Sequence, residues 1–166
     1  MGSGKSTLGK KLAGRLKLPF TDLDDFLQKK EGKTIQEIFN NEGETQFREY
    51  ETLHLKSLCS LPSPHVFALG GGTVCFNDNL SLVKKSGTVI YLQLSAAAIA
   101  NRVKQNQQSR PLLKDLNGEA LLHYITQSLQ QREPFYIQAD FILQALDLTA
   151  QQIEQLLLEN SAKNNH

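Results

Sequence analysis

Gly2-Ser3-Gly4-Lys5-Ser6-Thr7, at the start of the chain, have the composition of a loop that holds phosphate. They match the second half of the pattern G-x-x-x-x-G-K-[ST]. Glycines there let successive backbone N–H groups turn toward an anion with no Cβ in the way. A helix that starts directly after them aims its positive end at the same anion. Lys5 supplies a point charge for the β- and γ-phosphates, and the Ser6 hydroxyl is a candidate magnesium ligand. The first glycine of the pattern would fall upstream of Met1, and so would the buried strand that normally precedes such a loop. The sequence therefore predicts a phosphate-binding domain whose first strand is missing from this chain.

A second group of residues could work beside that loop. Asp22 and Asp24 end a short strand candidate, Pro19 to Leu23, and strand alternation would put both on one face. Ligands of open α/β sheets sit beyond the carboxyl ends of the strands, which places this pair near the phosphates. One could serve the magnesium shell and the other accept a hydroxyl proton. Asp24 is also a competent helix N-cap. Gly70-Gly71-Gly72 allow a close backbone approach to a ligand, although a flexible turn would use the same triplet. Arg110 precedes Pro111 in a polar stretch, where a lid could carry it over the phosphates to stabilise transferred charge. Spacing alone reads Arg48 and Arg132 as solvated surface charges. His54, His65, His123 and His166 show no metal-ligand spacing.

The elements that must position these groups alternate along the chain. Leu8, Leu12 and Leu16 predict a helix over 5–17. Short helices are expected at 24–30 and 34–41, and a longer one at 44–60 that stops before Pro62 and Pro64. His65 to Leu69 and Thr88 to Leu94 read as strands, the latter rich in β-branched residues. Further helices are expected at 77–85 with Asn77 or Asp78 as cap, from Ser95 to about 104, at 118–132, and at 149–159 with Thr149 as cap. Asp140 to Gln144 is another strand candidate. Residues 105–117 read as a polar loop, and the tail SAKNNH as frayed. This alternation indicates an α/β fold: a central parallel sheet between two helical layers.

Composition bounds the rest. A chain of 166 residues, 40% hydrophobic and 21% charged, suits a single domain. Eighteen basic residues against 17 acidic ones, net +1, argue against a general nucleic-acid or anionic-membrane binder. Cys59 and Cys75 are too few for a disulfide framework and read as reduced thiols. No apolar run approaches the ~18 residues of a transmembrane helix, and no signal-peptide pattern is visible, so a cytoplasmic location is expected; near-neutral charge and a small single domain point to a monomer.

Taken in order, the motifs resemble those of the shikimate kinases, from Met1 to about Tyr136. MGSGKST is similar to the end of that family's phosphate loop, PFTDLDDFL to its F-x-D-x-D segment, and TIQEIFNNEGETQFREYE to its I-x-x-I-F-x-x-x-G-E-x-x-F-R-x-x-E signature. ALGGGTV, RPLL and QREPFY resemble its later motifs. The resemblance implies a three-layer phosphate-loop kinase fold over 1–166, with a substrate-binding helical segment at about 24–60 and a lid at about 105–117. It implies ATP and Mg2+ as cofactors and phosphorylation of the shikimate 3-hydroxyl. Gly2 to Thr7 and Arg110 would hold ATP, with Ser6 on the metal and Asp22 in its outer shell. Asp24 would contact the ring hydroxyls as base or orienting group, with Lys5 and Arg110 completing the catalytic set. Arg48 and Arg132 would bind the carboxylate, and Gly70, Gly71 and Gly72 would line the acceptor, with Gly71 contacting a ring hydroxyl. Where the family often has Ser or Thr, this chain has Ala68. Related alternatives are a gluconate or nucleoside-monophosphate kinase, or a nucleotide-binding protein without turnover. The expected acceptor is a carboxylated polyol, because two arginines and an acid then share one partner.

Overall fold

The leucines spaced four apart form the helix their pattern requires: α1 spans Lys5–Leu16 and buries Leu12 and Ala13. A computed structural model describes residues 3–104 and 118–164. After α1 come β1 (Phe20–Asp22), α2 (Leu23–Glu31), α3 (Ile35–Asn41), α4 (Gly43–Cys59) and β2 (Val66–Ala68). A 3-10 turn at Thr73–Cys75 follows, then α5 (Asn79–Ser86), β3 (Ile90–Gln93), α6 (Ala96–Lys104), α7 (Gly118–Tyr136), β4 (Phe141–Gln144) and α8 (Ala150–Asn164).

Local signals account for most boundaries. Thr34 caps α3 through a reciprocal capping box with Glu37. Ser95 accepts from the Ala98 N–H at the head of α6, and Thr149 from the Gln152 N–H at the head of α8, as their positions predict. Three expectations differ. Helix α7 continues past Arg132 to Tyr136 with Pro134 inside it; the ladder resumes beyond the proline, where the Ile137 N–H bonds the Glu133 carbonyl. A proline near a helix C-terminus removes one bond and leaves the next turn intact. Helix α8 runs on through part of the tail that composition reads as frayed. Asp78 sits at the N-cap of α5 but makes no side-chain cap bond.

Among the described residues all strand pairings are parallel, as the alternating pattern requires. β1 pairs with β2 in register Asp22↔Ala68, and β3 with β4 in register Ile90↔Phe141. Among the described residues these are two separate pairs, where the sequence predicts one sheet. An apolar cavity of about 530 Å3 is lined on one side by Val66, Phe67 and Leu55 and on the other by Ile90, Leu92 and Ile125. Buried clusters flank it. Leu23, Leu55, Leu58 and Val83 pack on the β1–β2 side, and Leu94, Ile99, Val103, Leu121 and Ile125 on the β3–β4 side.

Candidate active site

The phosphate-loop residues stand where a helix begins. Gly4 is the N-cap of α1 with φ 84°, a left-handed conformation that favours glycine. Its carbonyl accepts from the Leu8 N–H at 2.9 Å, so the first turn is already closed around the loop. Lys5 Nζ lies 3.4 Å from Asp22 Oδ2 and 3.4 Å from Ser6 Oγ, and Ser6 Oγ donates a short hydrogen bond to the same Asp22 oxygen. The side chains that the sequence assigns to phosphate and metal are thus in mutual contact. Thr7 is exposed on the outer face of the first turn. Gly2 and Arg110 lie outside the described residues.

The acidic pair is placed differently from strand alternation. β1 ends at Asp22, whose side chain accepts from the Asp24 N–H at 3.1 Å and caps α2. Asp24 therefore stands in the first turn of a helix and not on the strand, and the cap residue is Asp22. Both carboxylates still face the site. Burial pushes the Asp24 carboxyl above the ordinary carboxylate range; the Lys5 charge pulls it down, and the Asp22, Glu51 and Asp25 charges add to the rise.

Asp24 meets the glycine triplet through Gly70. A Cβ on Gly70 would lie 3.1 Å from Asp24 Oδ1, 3.0 Å from Glu51 Oε1 and 2.9 Å from Thr73 Oγ1. A Cβ on Gly72 would lie 2.9 Å from both Arg48 Nη atoms. Close approach is what these two glycines supply. The Gly71 carbonyl accepts a short hydrogen bond from the Tyr136 hydroxyl, which ties the turn to the end of α7.

Arg48 is far from a solvated surface charge. Its side chain is 13% exposed, and Nη1 donates to Glu51 Oε2 at 2.8 Å. Glu51 is itself 1% exposed and accepts from Thr73 Oγ1. Arg132 is half-buried and lines the cavity together with Gly70, Gly71 and Lys5. The positive charges of Arg132 and Arg48 both act on the Cys75 thiol, against the burial that raises it. Arg48 meets the glycine turn at Gly72, and Arg132 lines the cavity with Gly70 and Gly71. The sequence reading gives no role to Glu51 and Tyr136, which lie in its quoted motifs, and does not single out Thr73 or Arg102, whose Nη1 donates to the Ser3 carbonyl at 3.1 Å. Besides closing the quoted signature, Glu51 carries one local signal, its i,i+3 spacing from Arg48 on a helix.

Ser6 and Asp22 offer an alcohol and a carboxylate oxygen in contact, a donor set suited to a hard cation. No group of three or more His, Cys, Asp or Glu that could hold a metal occurs among the described residues. Ala68, paired with Asp22 and 4% exposed, adds no oxygen. No described helix is long and apolar enough to cross a membrane.

A lysine and a serine in the first turn of a helix, in contact with a carboxylate at the end of a parallel strand, are the parts of a phosphate-loop phosphotransferase. The comparisons narrow the class. The shikimate kinase family model matches residues 1–161. A shikimate kinase of Bacteroides fragilis is 36% identical over 165 residues, covering 95% of this chain and 92% of its own. The crystal structure of shikimate kinase from Bacteroides thetaiotaomicron matches with a TM-score of 0.88 at 33% identity, over 95% of this chain and 93% of that one. A structure of the Acinetobacter baumannii enzyme in complex with shikimate matches with a TM-score of 0.85 at 33% identity, over 99% and 89%. The chain belongs to the shikimate kinase family, and is an ATP-dependent phosphotransferase to an alcohol acceptor.

Proposed function

We propose that the residues gathered around Gly70–Gly72 and the phosphate loop carry the transfer of the ATP γ-phosphoryl group to the 3-hydroxyl of shikimate. The Ser3–Thr7 backbone and Lys5 hold the phosphates, and Gly2 and Arg110 complete that set by resemblance to the family. Ser6 and Asp22 would hold Mg2+, which supplies charge neutralisation at the β- and γ-phosphates. Asp24 orients the acceptor hydroxyl and takes its proton as the oxygen attacks phosphorus. The bond from the γ-phosphorus to the bridging oxygen breaks, and its electron pair leaves with ADP. Such a reaction is catalysed mainly by positioning and charge stabilisation. Arg48 and Arg132 take the substrate carboxylate, and the glycine turn admits the ring.

The observation that carries this reading is the convergence of Arg48, Arg132 and Asp24 on one glycine turn. Two cations and an acid around backbone fit an anionic polyol. Replacing either arginine by Ala is expected to raise KM for shikimate by about 10- to 100-fold, the worth of one charge-assisted fork, with KM for ATP unchanged. Steady-state kinetics with each substrate varied checks this; an unchanged shikimate KM in both variants would remove the carboxylate assignment.

A further inference from the structure

The guanidinium of Arg48 lies 4.1 Å from the centroid of the Phe76 ring and 5.0 Å from that of Phe47. Phe47 is buried and braced by Phe39, with ring centroids 4.7 Å apart. Phe76 is different: it remains 38% exposed, so burial of its own surface does not explain its place. The chain that follows it is held in place. The Phe76 carbonyl accepts from the Asn79 N–H at 3.0 Å, and Asn77 Nδ2 donates to the Arg48 carbonyl at 3.3 Å and to Thr52 Oγ1 at 3.1 Å. The loop that carries the ring is therefore fastened to the helix that carries the arginine.

We propose that Phe76 is a positioning residue for the substrate, acting through Arg48; this rests on the reading of Arg48 as a carboxylate ligand. A ring packed on a guanidinium restricts its movement and strips water from that side. The in-plane edges then remain for carboxylates. One edge is held from inside by Glu51 through Nη1 at 2.8 Å. On the other, Nε and Nη2 donate to a single oxygen of Glu44 at 3.3 and 3.0 Å, and Glu44 is 57% exposed. An exposed, singly engaged carboxylate is the partner an incoming planar carboxylate can replace as a full fork.

The test is kinetic. Phe76→Ala and Phe76→Leu should each raise KM for shikimate about three- to tenfold, the range of a partly exposed cation–π contact. Values of kcat and KM for ATP should stay as in the parent, and Phe76→Trp should restore KM for shikimate. Melting temperatures of all variants are recorded; if Phe76→Ala does not fold, the Leu and Trp variants carry the comparison. A Leu variant with parental KM would show that only apolar volume matters and would overturn the proposal. So would an equal change in KM for ATP or a fall in kcat. Arg48→Ala separates the two layers. If it leaves shikimate KM unchanged, the carboxylate reading fails; if it raises KM while the Phe76 variants do not, only the positioning inference fails.

Discussion

Replacing Lys5 by Met is expected to lower kcat for ADP release by about three orders of magnitude, the usual result of removing one preorganised group from developing transition-state charge. The geometry explains why so much depends on one amine. Lys5 Nζ is 3.4 Å from Asp22 Oδ2 and lies at the head of α1, where the helix dipole already favours an anion. Its charge also holds the Asp24 carboxyl down against burial. The variant should therefore carry a second signature: the Asp24 carboxyl titrates at higher pH than in the parent, readable by carboxyl NMR titration. A Lys5→Met variant with parental kcat would mean that Lys5 does not face the transferred group.

Asp24→Asn is the second large effect. Loss of a positioned proton acceptor costs about 10²- to 10⁴-fold in kcat. Shikimate KM should move far less than kcat, because the amide still offers an oxygen to the acceptor hydroxyl. The same change should raise thermal stability at neutral pH. The Asp24 carboxyl is raised in the folded state, first by burial, so the folded protein binds its proton more tightly than the unfolded chain does. Stability from this group is then full below the unfolded value and is lost as pH rises toward the folded one. At neutral pH the buried carboxylate is a cost, which an uncharged amide removes. In the parent, the acid limb of kcat against pH should lie above that of an ordinary carboxylate, and in Asp24→Asn it should disappear. Scanning calorimetry and a pH–rate profile measure both; a destabilised variant that keeps the acid limb would assign the base elsewhere.

The parts of this site that are local in sequence were legible, and the parts built across the fold were not. The Gly4-Lys5-Ser6 loop and α1 follow from adjacent residues, and Ser95 and Thr149 cap the helices their positions predict. Asp22 and Asp24 lie together, as their spacing expects, but alternation misplaces Asp24. The strand stops at Asp22, whose own carboxylate starts the next helix. Arg48 looked like a surface charge by spacing because what makes it a buried group comes from elsewhere: Gly72 leaves room for it, Phe76 stacks on it, and Glu51 is locked by Thr73. Only the resemblance to a family gave Arg48 and Arg132 a common partner. The single sheet expected from alternating elements is seen as two parallel pairs across an apolar cavity. Periodicity finds strands one at a time, and pairing is a property of neighbours.

If Arg48, Arg132 and Asp24 hold the acceptor, the site selects a carboxylated polyol for phosphoryl transfer. The most direct measurement is ADP release from Mg-ATP with shikimate, gluconate, a nucleoside monophosphate or no acceptor. Release that depends on shikimate, with product phosphorylated at the 3-hydroxyl, and no rate above background with the others, is the expected result. Turnover with gluconate or the nucleotide in place of shikimate, or no shikimate-dependent release, would contradict it.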